Sequence, residues 1–193
     1  KLRAGRTTDI VILTQALVGK LASDGLISSA SMKNVGVVET ALAVRTSDPT
    51  ISAPDLVTLR QALCAADAIY VPDTKASTAG VHVAHVLRQL GIADEVESRL
   101  KIYPNGATAM RHLADSPASR PIGCTQATEI ISTAGVKLSG PLPPGCELAT
   151  VYTAAIATNA ARPHEAQLLI ELLTATNHRE ARTGAGFRDP GQD

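Results

Sequence analysis

Neutral polar residues mark a point in this 193-residue chain where a predicted strand passes into a predicted helix. Residues 69–71 are apolar, a polar loop follows, and helical spacing of apolar residues begins after Thr78, the expected N-cap. Ala79 and Gly80 add almost no side chain, so the first backbone N–H groups are expected to be open to a small ligand. Because orphan donors and the helix dipole favour negative charge, this stretch predicts an anion-binding element. An ordinary helix start is the alternative.

Three further predicted strands, at residues 8–13, 100–103 and 121–124, end in hydroxyl, amide or glycine residues before a helix. Ligands of open α/β sheets bind beyond the carboxyl ends of the strands. We therefore expect one pocket of neutral donors that holds a small, polar, anionic ligand. The candidate ligand-binding residues are Thr14, Thr78, Ala79, Gly80, Asn105, Gly106, Ala107, Thr125 and Gln126.

Two arrangements could support metal binding or catalysis instead. His82 and His85 share a helix face, but a third ligand at useful spacing is lacking, so ordinary surface histidines are the alternative. Cys124 ends a predicted strand and could act as a nucleophile with His112, although a buried strand cysteine is the alternative. The sequence has no G-x-S-x-G, P-loop or G-x-G-x-x-G motif. We therefore predict no catalytic residue, no metal and no cofactor.

Composition excludes two classes of partner. Eighteen basic residues balance eighteen acidic ones and aromatic residues make up only 2%, which disfavours nucleic-acid binding. No apolar run approaches the roughly 20 residues of a membrane span, so no membrane insertion is expected. Hydrophobic residues make up 45%, enough for a core of Ala, Val, Leu and Ile. The three cysteines lack metal-type spacing.

Alternating strands and helices predict an α/β fold with mostly parallel sheets and helices on both faces. Two long predicted strands, at residues 35–44 and 149–157, bracket a central block. This pattern predicts lobe one from residues 1–45 and 146–193, and an inserted lobe two from residues 46–145. Residues 1–5 resemble the end of a helix, so we expect lobe one to lack its N-terminal segment and any signal peptide to lie there.

The chain resembles the periplasmic molybdate-binding proteins of ABC transporters, within the type II solute-binding superfamily. The resemblance spans the chain in order, and the terminal helix ending at Gly186 and Phe187 also fits. It implies a two-lobed, periplasmic-binding-protein-like fold that holds an oxyanion in an interlobe cleft through neutral donors. It also implies an ABC transporter permease as partner and a periplasmic location, with a cytoplasmic one left open. The segments that carry it are residues 4–14, 36–45, 70–90, 105–113 and 121–129.

The resemblance also assigns roles to single residues. The family's backbone donors fall on Ala79 and on or next to Gly106, and its two serine-type ligands fall ahead of Lys1. Gln126 stands where molybdate binders place a tyrosine, and we expect it to face both backbone donors. An amide can accept a hydrogen bond as well as donate one, so the ligand is expected to carry a donor, as a small hydroxy- or dicarboxylic acid does.

These features together predict a non-enzymatic solute-binding protein for a small oxyanion or small carboxylate. An enzyme on the same fold that acts on a small carboxylate is the first alternative. The effector-sensing domain of a transcription regulator is the second, although these residues show no helix-turn-helix or basic segment.

Overall fold

A computed structural model describes residues 7–189, which form two compact units. Within the described range, the first unit comprises residues 7–38 and 150–189, and the second comprises residues 39–149. The predicted lobe boundaries, at 45–46 and 145–146, stay a prediction. Within the described range, no helix is both long and apolar enough to cross a membrane.

The first unit is a small sheet with helices packed on it. Strand β1 pairs antiparallel with β7, and β7 is also bonded to β2. Its core is made of small aliphatic clusters, one around Ile170 and Ala154 and another around Val18 and Ala155. Its elements are β1 (Ile10–Thr14), α1 (Gln15–Ser23), a 3-10 turn (Ser29–Ser31), the first half of β2 (Lys33–Arg45), β7 (Ala149–Ile156), α7 (Pro163–Thr174), a 3-10 turn (Thr176–His178) and α8 (Arg179–Gly184).

The second unit is a five-stranded sheet in the order β6-β2-β5-β3-β4. Its helix α3 ends before Gly91, whose φ of +68° is the left-handed conformation typical of a C′ glycine. The elements are the rest of β2, α2 (Leu56–Ala65), β3 (Ala68–Pro72), α3 (Thr78–Gln89), α4 (Ala93–Val96), a 3-10 turn (Glu97–Arg99), β4 (Leu100–Tyr103), α5 (Gly106–Ala114), β5 (Pro121–Gln126), α6 (Ala127–Ile131) and β6 (Val136–Pro141).

Strand directions in this unit correct one part of the prediction. Strand β3 is parallel to β4 and β5, as expected, but β2 is antiparallel to both β5 and β6. The sheet is therefore mixed, and not mostly parallel in its pairing. The reason is that β2 enters this unit at the edge where β5 ends, because Thr40 is the register partner of Gln126.

The two faces of this sheet are covered by different helices. On one face, Ile69, Val71 and Cys124 join a buried cluster with residues of α2 and α3. On the other face, a Cβ at Gly123 would contact Met110 and Leu113 of α5. Successive side chains of a strand alternate between faces. At the end of β5, the side chain of residue 125 therefore lies on the α5 face of the sheet, and that of residue 126 lies on the α3 face.

Candidate ligand-binding site

The N-terminus of α3 lies at the carboxyl end of β3, as predicted, and the helix begins at Thr78. The N-cap, however, is Ser77 and not Thr78. Ser77 has an extended backbone (φ −91°, ψ 144°), and its Oγ accepts a hydrogen bond from the Gly80 N–H at 2.9 Å. Within residues 7–189, the N–H groups of Thr78 and Ala79 have no acceptor. Two donors of this helix are therefore left for another group.

Gly80 has a packing role that the sequence did not indicate. A Cβ at this position would lie 2.5 Å from the Pro72 carbonyl oxygen and nearer still to that of Asp73. The start of α3 therefore rests directly on the backbone of its own loop. Gly80 lets the helix approach that loop, and its N–H is already used by Ser77.

The N-terminus of α5 is bonded to a carboxylate of its own unit. Asn105 is the N-cap and accepts a hydrogen bond from the Thr108 N–H at 2.8 Å. Glu129, in the first turn of α6, reaches across to this helix. Its Oε1 accepts from the Ala107 N–H at 3.3 Å, and its Oε2 accepts from the Thr125 hydroxyl at 2.5 Å. A Cβ at Gly106 would overlap both Glu129 and Thr125.

Glu129 was missed by sequence reasoning, which expects only neutral donors at these strand ends. One signal was present: Glu129 follows Thr125 by four residues across a strand-to-helix junction. A threonine hydroxyl that ends a strand can reach a glutamate in the next helical turn. Sequence alone does not show that this glutamate also reaches the start of α5, since that contact spans 22 residues.

Strand alternation separates the candidate residues of the second unit into two groups. Gly106, Ala107 and Thr125 surround Glu129 on the α5 face. Gln126 is 5% exposed and follows Cys124 by two residues, so strand alternation places its side chain on the α3 face. The expectation that it faces both helix starts stays a prediction. Thr14 belongs to the other unit, where it precedes α1, and its side chain makes no cap hydrogen bond.

The proposed cysteine nucleophile is not supported by its surroundings. Cys124 is buried, and desolvation raises the pKa of its thiol to about 12, with Cys146 adding to the shift. A thiol with so high a pKa stays protonated and is a poor nucleophile. His112 is exposed on α5 and stacks on Tyr103 at a ring-centroid distance of 4.3 Å. Cys124 and His112 thus lie on opposite faces of the sheet.

The surroundings of His82 and His85 on α3 do not resemble a metal-binding site. The His82 Nε2 lies 2.8 Å from the carbonyl oxygen of Cys146, which joins α3 to the segment after β6. His85 is exposed. Among residues 7–189, no group of three or more potential metal ligands is close enough to hold an ion.

A family model described as bacterial extracellular solute-binding protein matches residues 1–188. The chain belongs to this family. It is also similar to the periplasmic molybdate-binding protein of Azotobacter vinelandii, with 18% identity, a TM-score of 0.78, and coverage of 98% of this chain and 81% of that one. Likeness to molybdate-binding proteins and the α/β, two-lobed fold class are thereby confirmed.

Two further relatives differ in what their names say. A sulfate-binding protein of Mycobacterium tuberculosis is 16% identical, with a TM-score of 0.70 and coverage of 97% of this chain and 70% of that one. An aconitate isomerase of a Pseudomonas species is 23% identical, covering 97% of this chain and 70% of its own length. The structural likenesses show the fold alone, and none of these identities assigns a ligand to this chain.

The Thr40 hydroxyl offers a stability test next to Gln126. Thr40 is 1% exposed, and its Oγ has no partner in the described part of the chain. Replacing it by valine keeps the shape and removes an unpaired buried hydroxyl, so T40V should raise the free energy of unfolding by about 1 kcal/mol. Thr153 is equally buried, but its hydroxyl donates to Asn34 at 2.8 Å. T153V should therefore lower that free energy by about 1 kcal/mol.

Urea denaturation of T40V and T153V measures these two opposite changes in the free energy of unfolding. A loss of stability in T40V as large as that in T153V would show that the Thr40 hydroxyl has a partner after all.

Proposed function

We propose that this chain is the solute-binding component of an ABC transporter and carries a small organic acid. The observation that carries this proposal is the start of α3, where the N–H groups of Thr78 and Ala79 lack an acceptor within residues 7–189. They lie at the carboxyl edge of the sheet, where ligands of α/β folds bind. A helix N-terminus stabilises a carboxylate there through its donors and its dipole.

The other groups at this edge favour an organic acid over a bare oxyanion. Gln126, at the end of β5, has an amide that can both donate and accept. Glu129 places a carboxylate beside Thr125 and Ala107. A ligand group next to this carboxylate would be stabilised only if it donated a hydrogen bond. A small hydroxy- or dicarboxylic acid offers both an anionic end and a donor or protonated end. Molybdate-like oxyanions remain the ligand class that the structural relatives suggest.

Family membership supports the remaining parts of the proposal. A solute-binding protein delivers its ligand to a membrane permease, so an ABC permease is the expected protein partner. The family description as extracellular supports a periplasmic location.

Thermal melting with a panel of anions tests the proposal. A ligand that binds only the native state adds about 2.7 kcal/mol at roughly 100 times Kd. For a chain of this length, we expect the melting temperature to rise by roughly 5–10 °C. The panel comprises malate, citrate, succinate, sulfate, phosphate and molybdate. If none of them shifts the transition, the solute-binding proposal is wrong.

One substitution tests the α3 donors without disturbing the helix. Thr78 is the first helical residue, where proline is favoured, and the extended Ser77 before it is compatible with a following proline. T78P removes one N–H donor and should weaken the bound acid by roughly tenfold, about 1.4 kcal/mol. L56P makes the same change at the first residue of α2 and should leave binding unchanged. Equal affinities of T78P and wild type would remove α3 from the site.

An isomerase acting on a small unsaturated carboxylate is the second candidate. It is favoured by the likeness to an aconitate isomerase over 97% of this chain and by Glu129, a carboxylate able to move a proton at this edge. Incubation with separate aconitate isomers, followed by chromatography, distinguishes the two functions. Conversion above the buffer rate would favour the enzyme, and unchanged aconitate with a shifted melting curve would favour the binding protein.

A further inference from the structure

We propose that the second unit has a separate binding site, which takes a small neutral molecule with an apolar ring and a single hydroxyl group. The site is a cavity of about 270 Å³ between the C-terminal end of α2, the segment after β2 and the start of β5. This inference does not rest on the proposed function, because the cavity lies away from the start of α3.

The cavity is at the opposite edge of the sheet from the start of α3. Val44, Pro121 and Ile122 line it, and they belong to the carboxyl end of β2 and the amino end of β5, which pair antiparallel. Helix α3 instead follows the carboxyl end of β3, and β3 runs parallel to β5. Strands as short as these span roughly 15–20 Å. One small ligand therefore cannot occupy both places.

The inner wall of the cavity is apolar and continuous with the core. Val44, Ala66 and Ile122 line it and are at most 3% exposed. Ala66 and Ile122 belong to the buried cluster of this unit, and the lining residues Ile51 and Ala62 pack against that cluster. A dry cavity of about 150 Å³ with apolar walls binds benzene. At about 270 Å³, this cavity has room for a six-membered ring and one short polar substituent.

Hydrogen bonds within the second unit hold the walls in place. Arg45 donates to both carboxylate oxygens of Asp48, at 2.7 and 3.1 Å, and to the Ser116 carbonyl oxygen at 2.7 Å. The Ile51 N–H donates to the Ser139 hydroxyl oxygen at 2.5 Å. These bonds fix the segment after β2, so the cavity is preformed, as small-molecule sites usually are. A preformed cavity loses little conformational freedom when it binds a ligand.

The polar mouth of the cavity has balanced charges. Its acidic residue, Asp48, is paired with Arg45, and its basic residue, Arg120, lies 3.1 Å from an oxygen of Asp67. The C-terminal end of α2 adds a partial negative charge. An anion would meet Asp48 and this helix end, whereas a cation would meet Arg120. Because neither charge finds an unpaired partner to offset its desolvation, a neutral ligand is favoured.

A hydroxyl group matches the remaining polar atoms of the mouth. The Arg120 guanidinium has five N–H donors, and its bond to Asp67 uses one of them. The Ser119 hydroxyl can donate as well as accept. Both Ser119 and Arg120 line the cavity and are exposed. A ligand hydroxyl can therefore accept from Arg120 and donate to Ser119 while its ring lies against the apolar wall.

Titrations followed by two-dimensional amide NMR test this proposal, with benzyl alcohol, benzoate and benzylamine as probes. The three probes share the aromatic ring and differ in the charge of the head group. We expect benzyl alcohol to shift the amide signals of residues 62–66 and 119–122. We also expect it to bind at least roughly tenfold more tightly than either charged probe.

Two leucine variants on α2 test the location of the site. Ala65 lines the cavity and is exposed, so a leucine side chain there fills the cavity without displacing the core. Gln61 is exposed on the same helix and lies outside the cavity lining. Ala65→Leu should weaken benzyl alcohol by at least roughly tenfold, and Gln61→Leu should leave its affinity unchanged. The same spectra report whether both variants are folded.

Four outcomes would overturn the proposal. They are the absence of shifts with every probe, tighter binding of benzoate or benzylamine than of benzyl alcohol, equal affinities of A65L and Q61L, and shifts that follow protein concentration alone. The last would assign the cavity to a contact between two copies of the chain. All four leave the proposed function standing, because that function is tested at the start of α3.

Discussion

Replacing Gly80 by alanine is expected to lower the free energy of unfolding by about 3 kcal/mol, whereas the same change at Gly19 should raise it by about 0.5–1 kcal/mol. Both glycines lie within helices, Gly80 in α3 and Gly19 in α1. Alanine is the better helix former at either position. The difference in sign comes from what the added methyl group meets.

At Gly80 the methyl group would meet backbone atoms that cannot rotate away. It would overlap the carbonyl oxygens of Pro72 and Asp73. The loop that carries them is tied down, because the Asp73 side chain accepts from the Lys75 N–H at 2.7 Å and the Asp73 carbonyl accepts from the Ser77 N–H at 3.0 Å. At Gly19 nothing lies within 4 Å of the added Cβ. The cost at Gly80 is therefore one of overpacking against fixed backbone.

Urea denaturation of wild type, G80A and G19A measures both effects. The slopes of the denaturation curves should stay the same, so that midpoints report stability directly. A Gly80→Ala variant as stable as wild type would show that α3 does not pack against the carbonyl groups of Pro72 and Asp73. It would also weaken the assignment of the α3 start as a site, since that geometry depends on this contact.

The boundaries of α3 show what sequence can and cannot predict. Val83, Val86 and Leu87 recur at helical spacing and are buried, so the predicted helix and its core face are confirmed. The predicted N-cap is wrong by one residue: the sequence pattern favours Thr78, whereas the structure has Ser77. Both carry a hydroxyl, and only the backbone angles of Ser77 decide between them. The spacing of apolar residues predicts such a helix, but it does not determine which residue is the N-cap.

The remaining differences arise from contacts between distant residues. The antiparallel pairing of β2 with β5 joins Thr40 to Gln126, and no local pattern reports which strand lies beside another or in which direction. The bond from Ala107 to Glu129 likewise depends on how α5 and α6 meet. Sequence reasoning therefore found the strand ends but missed the charged group among them. The candidate ligand-binding residues themselves stay a prediction until a ligand is bound.

The position of Glu129 can be tested by stability alone, through a double-mutant cycle with Gly106. Gly106→Ala should lower the free energy of unfolding by about 2–3 kcal/mol, because its methyl group would overlap the Glu129 carboxylate and the Thr125 hydroxyl. Gly106 does not have a positive φ, so alanine is strained there by contact and not by backbone conformation. Removing the Glu129 side chain should relieve part of that overlap.

In the Glu129→Ala background, the cost of Gly106→Ala should therefore fall by at least about 1 kcal/mol, which is the coupling expected of residues in direct contact. It should not vanish, because Thr125 is fully buried and its hydroxyl remains in the way. Chemical denaturation of the four proteins measures this coupling. The same cycle with Glu147→Ala serves as control and should be additive within about 0.5 kcal/mol. Additive costs for Gly106 and Glu129 would place the carboxylate away from the start of α5.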